Sequence, residues 1–140
     1  MNITELTAAL QSGTYDGTFR TLYPGRWEGQ RERYLRIAAA FGERFGAERT
    51  VELFSAPGRS EIGGNHTDHQ QAQRGRVLAA AVTLDAVAVA SKNDRNVIRI
   101  YSEGHGEERI NLEKLEILPA EEGTTAALIR GIAARFYGRR

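Results

Sequence analysis

Apolar residues recur at steps of three and four in two stretches of the N-terminal half. Over Gln30–Phe45 this spacing predicts an amphipathic helix that ends before Gly46. Its apolar positions are Tyr34, Ile37, Ala38, Phe41 and Phe45. Over Thr4–Gln11, two leucines four residues apart predict a short helix with Asn2 or Thr4 as its N-cap. The glycine-rich segment Gly13–Gly29 is predicted to be a loop with an extended piece.

A third helix is predicted near the end of the sequence, capped by Thr124 or Thr125. The apolar positions on one side of it are Leu128, Ile129, Ile132, Ala133 and Phe136. No further strand follows in the sequence to cover that side. We therefore expect it to be exposed and to promote self-association.

Between the second and third helices the pattern predicts strands. Thr50–Ser55 has the β-branched and aromatic content of a strand that ends near Pro57, which cannot donate a ladder hydrogen bond. The residues from 58 to 76 are polar and glycine-rich, as in a loop. Arg76–Ser91 is predicted to form a second strand, broken near Thr83–Asp85.

The chain then continues into shorter strand signals. Lys92–Asn96 is predicted to be a hairpin turn between the second strand and a third, Val97–Tyr101. A second polar turn precedes an edge strand over Ile110–Leu118. The order of elements predicts an α+β fold, formed as one domain over residues 1–140.

Composition excludes several classes of protein. With 19 Lys+Arg against 18 Asp+Glu, the chain lacks the excess of cations that nucleic-acid binding requires. It has no cysteine, so disulfides, thiolate nucleophiles and cysteine-based zinc sites are excluded. The longest apolar run, Val77–Val82, is too short to span a membrane, and the N-terminus does not resemble a signal peptide. A cytoplasmic location is the expectation.

One segment, Pro57–Gln70, differs from the rest of the chain. Within fourteen residues it holds three glycines, one arginine, two carboxylates and two of the three histidines. Glycine allows a backbone to approach a ligand closely, and side chains that donate and accept hydrogen bonds suit a hydroxylated ligand. Composition alone equally allows a solvated connector whose polar side chains cap turns.

This segment resembles the first signature of galactokinases, Gly-Arg-Val-Asn-Leu-Ile-Gly-Glu-His-Thr-Asp-Tyr. Aligned without gaps, the identical positions are Gly58, Arg59, Gly64, His66, Thr67 and Asp68. The apolar strand that follows, with its Leu84-Asp85 step, is also similar to the family. The resemblance implies the N-terminal, sugar-binding part of a GHMP-kinase-type fold, in which a mixed or antiparallel sheet packs with helices.

The resemblance also implies roles for individual residues. Galactokinases transfer the γ-phosphoryl group of ATP to the anomeric hydroxyl of galactose. Arg59 is implied to be catalytic, because its planar guanidinium stabilises charge during transfer. Asp68 is implied to accept hydrogen bonds from ring hydroxyls, and His66 to contact the sugar or orient the loop.

The segment departs from the family pattern in ways that bear on the sugar. The family glutamate before the histidine is Asn65, which is shorter, uncharged and carries an amide donor. The tyrosine after the aspartate is His69. Glu61 is a candidate for supplying the missing carboxylate. These changes leave a kinase fold plausible and place galactose itself in question, so the partner is expected to be a galactose-like monosaccharide.

The group's second signature, a serine-rich loop that wraps the ATP phosphates, has no good match. Pro119–Ala127 has similar spacing but lacks the serines and carries Glu121 and Glu122 where triphosphate charge would arrive. We interpret it as a helix cap. The resemblance implies ATP and Mg²⁺ for a full-length enzyme, and we expect the 140 residues alone to bind neither and to be inactive as a kinase.

Two alternatives remain open. One is a non-catalytic sugar-binding or regulatory module, which senses a sugar without turnover. The other is a metal-dependent hydrolase, because His66-x-Asp68-His69 matches part of a two-metal motif. The first histidine of that motif falls on Gly64, and His105 is the one histidine left, which is too few for two metals.

Overall fold

The computed structural model describes residues 1–64 and 76–138. Over these residues the fold is α+β, as predicted. The chain forms two compact units, Met1–Lys92 and Asn93–Arg140. That residues 1–140 act as one domain stays a prediction. Among the described residues, no helix has the length and apolarity needed to cross a bilayer.

The first unit contains three helices and one two-stranded sheet. The helices are α1 (Ile3–Gln11), α2 (Asp16–Leu22) and α3 (Gln30–Phe45), and the strands are β1 (Glu52–Gly63) and β2 (Leu78–Ala90). Both predicted helices are confirmed. Asn2 caps α1 through a capping box in which its side chain accepts from Glu5 N–H and the Glu5 carboxylate accepts from Asn2 N–H, each at 2.9 Å.

The predicted loop over Gly13–Gly29 is wrong in part, because it contains α2. The helix has no side-chain N-cap and begins with Asp16 and Gly17, so its own sequence signals are weak. Tertiary packing stabilises it instead. Phe19 is 2% exposed, and its ring lies 4.8 Å from that of Tyr34 on α3, centroid to centroid.

The core of this unit lies between α1, α2, α3 and the start of β1. Its buried members are Ile3, Leu6, Leu10, Phe19, Tyr23, Tyr34, Ala38 and Val51. Leu53 of β1 and two valines of β2, Val87 and Val89, pack against it. The base of the β1–β2 hairpin is thereby fixed to the helices.

The prediction that the first strand ends near Pro57 is wrong, because β1 continues to Gly63. Its polar second half is held in extended form by antiparallel pairing with β2, which runs from Glu52 opposite Ala90 to Gly63 opposite Leu78. The register shifts twice, between Pro57 and Arg59 and between Glu61 and Gly63. The break predicted near Thr83–Asp85 is wrong, because β2 is continuous over Leu78–Ala90, and the first register shift falls at that place instead.

The second unit contains a hairpin and a helix. Its elements are β3 (Val97–Ser102), β4 (Gly106–Asn111), a short 3-10 helix (Pro119–Glu121) and α4 (Thr125–Tyr137). The hairpin predicted around Lys92–Asn96 is wrong, since β3 pairs with β4 and β2 pairs with β1. The edge strand predicted over Ile110–Leu118 lies instead at β4. The last helix is confirmed, with Thr124 as its N-cap.

Candidate functional site

Arg59 and Glu61 lie on the second half of β1, opposite Ala81 and Ala79 of β2. Both side chains are exposed. Residues two apart in a strand project from the same face, so the guanidinium and the carboxylate share one side of the hairpin. The small alanines opposite leave that side open to a ligand.

Gly58, just before Arg59, lies where the pairing register shifts. A Cβ atom at this position would lie 3.0 Å from the carbonyl oxygen of Leu84 and 3.2 Å from Cγ2 of Val82. Between the pairs Pro57–Asp85 and Arg59–Ala81, the single residue Gly58 faces three residues of β2. Glycine therefore permits the close approach of strands on which the position of Arg59 depends.

Gly64, the residue that follows β1, approaches the residues just before β2 even more closely. A Cβ atom there would lie 2.0 Å from the carbonyl oxygen of Arg76, and the backbone φ of Gly64 is +90°. Only glycine meets both conditions without strain. Residues 64 and 76, which flank the segment 65–75, are therefore in backbone contact.

Three predicted sugar-binding residues, Asn65, His66 and Asp68, lie outside the described residues. Their proposed convergence with Arg59 stays a prediction. The metal-binding alternative rests on His66, Asp68 and His69, which lie in the same segment. Within residues 1–64 and 76–138, no group of three acidic, histidine or cysteine side chains could hold a metal ion.

A buried polar cluster around Asp85 was not predicted. The Asp85 side chain is 3% exposed and accepts hydrogen bonds from three residues on different elements. Its Oδ2 accepts from the Tyr23 hydroxyl and from Ser55 Oγ, each at 2.5 Å, and its Oδ1 accepts from Arg33 Nη1 at 2.6 Å. Arg33 Nη2 also donates to the Asp85 carbonyl oxygen at 2.8 Å. The Tyr23 hydroxyl lies 2.7 Å from that of Tyr34.

The electrostatics of this cluster favour a charged carboxylate. Burial alone would raise the pKa of Asp85, but hydrogen bonds from Ser55, Tyr23 and Arg33 outweigh it and hold that pKa below its usual value. Burial raises the pKa of Tyr23, and the hydrogen bond to Asp85 raises it further. A lone aspartate within the apolar run of β2 was the available sequence signal, since a buried carboxylate requires partners.

An open cleft of the first unit lies elsewhere on β1. Its volume is about 610 Å³, and its lining includes Met1, Tyr15, Leu22, Phe54 and Ser55. Neither Arg59 nor Glu61, the two predicted site residues that the structure describes, lines it. The cleft is therefore not the predicted sugar site.

In the second unit, the loop with phosphate-loop spacing is a helix cap, as interpreted from the sequence. The Thr124 hydroxyl accepts from Ala127 N–H at 3.2 Å. The two carboxylate oxygens of Glu121 accept from Nε and Nη2 of Arg130, each at 2.8 Å. Arg130 is thus already paired with a carboxylate, and the loop carries two glutamates and no serine, so it does not fit a triphosphate.

Comparison with known proteins agrees with the motif. Residues 39–92 match the family model described as the galactokinase galactose-binding signature. This range includes β1, β2 and all of the predicted site residues. No solved structure gives a significant match to the chain.

Three curated galactokinases illustrate the extent of the similarity. The chain is 41% identical over 79 residues to that of Streptococcus mutans, 36% over 86 residues to that of Streptococcus suis and 30% over 100 residues to that of Streptomyces coelicolor. These matches cover 56%, 61% and 69% of this chain, but 17%, 19% and 25% of the respective relatives. The chain thus spans about a fifth of the length of these relatives, and its residues 39–92 are similar to the galactose-binding signature of galactokinases.

Proposed function

We propose that this chain binds galactose or a closely related monosaccharide. Arg59 and Glu61 contribute from β1, and Asn65, His66 and Asp68 contribute from the segment that follows Gly64. The observation that carries the proposal is the match of residues 39–92 to a galactose-binding signature, because that range contains all five residues. The exposure of Arg59 and Glu61 on one side of the hairpin supports it.

The proposed roles follow from the chemistry of a sugar ring. Asp68 accepts hydrogen bonds from two ring hydroxyls, since a carboxylate has two oxygens with open lone pairs. His66 offers one donor and one acceptor when neutral. Arg59 donates towards the anomeric oxygen and, in a complete kinase, stabilises the charge of the transferring phosphoryl group.

Asn65 and Glu61 determine which sugar is preferred. A carboxylate accepts two hydrogen bonds, whereas the Asn65 side chain accepts at its oxygen and donates at its amide. The hydroxyl that faces Asn65 therefore need not have the orientation it has in galactose. Glu61 restores the acceptor from β1, on the same side as Arg59.

We also propose that the chain alone does not phosphorylate its sugar. Its single segment with phosphate-loop spacing lacks serines and holds a paired glutamate, so ATP and Mg²⁺ would be bound by parts that these 140 residues do not supply. The chain on its own is then a sugar-binding module of GHMP-kinase type. A cytoplasmic location is part of the same proposal.

Sugar titrations followed by NMR test the binding proposal. Wild-type protein is expected to bind galactose, and Asp68→Ala to weaken binding more than tenfold, because hydrogen bonds to a charged acceptor are worth about 1.5–3 kcal/mol each. Asp94→Ala, which removes an exposed carboxylate of the second unit, is the matched control and should bind as wild type does. Equal affinities for the Asp68→Ala and wild-type proteins would remove Asp68 from the site.

The Arg59 assignment has its own control. Arg59→Ala is expected to weaken galactose binding, whereas Arg26→Ala removes another exposed arginine of the first unit and should not. A coupled assay for ATP consumption with galactose should show no turnover by the 140-residue chain. ATP-dependent phosphorylation of any monosaccharide by that chain would contradict the proposal that it is inactive alone.

A further inference from the structure

We propose that Asp85 is a positioning residue for Arg59: its buried carboxylate fixes the register shift in the β1–β2 hairpin and so sets where Arg59 leaves the strand. The proposal deepens the sugar-binding function proposed above and rests on it for its consequence in binding. Its structural part, the control of register, stands on the contacts of Asp85 alone.

Asp85 lies at the edge of the register shift. It pairs with Pro57, and the next pair along the hairpin is Arg59 with Ala81. Three residues of β2 lie between those pairs, against one residue of β1. A slip of one residue at this point would turn the following side chains to the opposite face of the hairpin. The pair of Asp85 with Pro57 is thus the last residue pair before the register shift that precedes Arg59.

Contacts from three elements hold this point in place. Ser55 reaches Asp85 from β1, Arg33 from α3 and Tyr23 from the end of α2, with donor–acceptor distances of 2.5, 2.6 and 2.5 Å. Arg33 holds both the side chain and the backbone carbonyl of Asp85. Asp85 therefore cannot shift along β1 without breaking hydrogen bonds to its charged carboxylate, which is 3% exposed.

Stability alone is a poor reason for such a cluster. Well-packed apolar side chains of similar volume often replace a buried ion pair without loss of stability, whereas the directional hydrogen bonds of the pair specify a single arrangement. Around Asp85 every donor approaches from a fixed direction, so the cluster selects one register among those that the small, alanine-rich β2 would allow.

The test separates positioning from stability with three variants. Asp85→Asn removes the charge. The double variant Asp85→Leu with Arg33→Met replaces the ion pair with apolar side chains. Leu10→Ala creates a cavity in the core at a residue of α1, distant in sequence from the register shift. Leu10 is 1% exposed and takes no part in the hydrogen bonds of Asp85, so its truncation lowers the melting temperature while leaving those hydrogen-bonding groups in place. Each variant is studied at a temperature where it is folded.

Two readouts are followed, the cross-strand NOE between Arg59 and Ala81 and the dissociation constant for galactose. Asp85→Asn and the double variant are expected to lose the NOE and to bind galactose at least about tenfold more weakly, since small displacements of a site residue have effects of this size or larger. Leu10→Ala should keep both. If Asp85→Asn does not fold, the double variant alone tests the proposal. In that variant the Tyr23 hydroxyl keeps the Tyr34 hydroxyl as a hydrogen-bond partner.

Retention of the Arg59–Ala81 NOE in both the Asp85→Asn and double variants would overturn the proposal. So would wild-type galactose affinity in the double variant. Failure of wild-type protein to bind galactose and the related monosaccharides would instead contradict the proposed function, and the NOE would still decide whether Asp85 controls the register.

Discussion

Gly64 and Arg76 are in backbone contact, so close that a Cβ atom on Gly64 would lie 2.0 Å from the Arg76 carbonyl oxygen. This contact lies just after β1 and just before β2, where the segment 65–75 begins and ends. Three of the predicted sugar-binding residues belong to that segment. Its anchor points are thus set by a position that accepts only glycine.

Gly64→Ala is therefore expected to lower the free energy of unfolding by more than about 1–2 kcal/mol, the cost of the left-handed conformation alone. The clash with the Arg76 backbone adds to this cost and should also weaken galactose binding. Thermal denaturation and galactose titration measure the two effects. Gly63→Ala is the matched control, since a Cβ atom there meets nothing within 4 Å. Equal stabilities of the two variants would contradict the contact.

Gly58→Ala is also expected to lower the free energy of unfolding, but through overpacking and not through backbone strain. The Cβ atom would meet the Leu84 carbonyl oxygen at 3.0 Å, and Gly58 has no positive φ, so the cost is overpacking of about 1–3 kcal/mol. Because Gly58 lies in the register shift, the chemical shift of the Arg59 amide should change as well. An unchanged Arg59 amide, with Gly63→Ala again as control, would indicate that the strands adapt without moving Arg59.

The sequence was informative wherever an element had its own periodic pattern. The helix over Gln30–Phe45 was predicted to the residue because sixteen residues carry the apolar spacing and a glycine follows. Helix α2 was missed because packing of Phe19 on Tyr34 stabilises it, and that contact joins residues fifteen apart in the chain. The extension of β1 beyond Pro57 was missed for the same reason, since pairing with β2 maintains it.

In the candidate site, too, the local motif could be predicted from the sequence and the long-range contacts could not. Arg59 and Glu61 were found from the motif, and the structure adds that they lie on one strand rather than in a loop. The partners of Asp85 could not be predicted, because Tyr23, Arg33 and Ser55 each lie at least thirty residues from it in the chain. The sequence shows that a charged residue interrupts an apolar strand, but not which residues neutralise it.

Acidification should destabilise the first unit through Asp85. The pKa of its carboxyl is lower in the folded than in the unfolded protein, so it contributes stability above the unfolded pKa of about 3.9. That contribution is lost as the pH falls from about 4 through the lower, folded pKa. Urea unfolding between neutral pH and pH 2 should show a steeper loss of stability for wild-type protein than for Asp85→Asn. Parallel pH profiles for the two proteins would contradict the charged state of Asp85.

The last prediction concerns the side of α4 that carries Leu128, Ile132 and Phe136. These side chains are 66%, 52% and 71% exposed, so three large apolar groups share one face of a short helix. Exposed apolar patches of this kind promote association. Sedimentation at increasing concentration should show self-association of the wild-type chain, reduced by Ile132→Glu, which keeps a good helix former at that position.

Ile117→Glu is the control for this experiment, because Ile117 is 92% exposed but lies outside α4. It removes more exposed apolar surface from the same unit than Ile132→Glu does, without altering the helix face. If association arises from the α4 face, Ile117→Glu should sediment like wild type while Ile132→Glu shifts towards monomer. A monomeric wild-type profile at all concentrations, or equal shifts in both variants, would show that this face does not drive association.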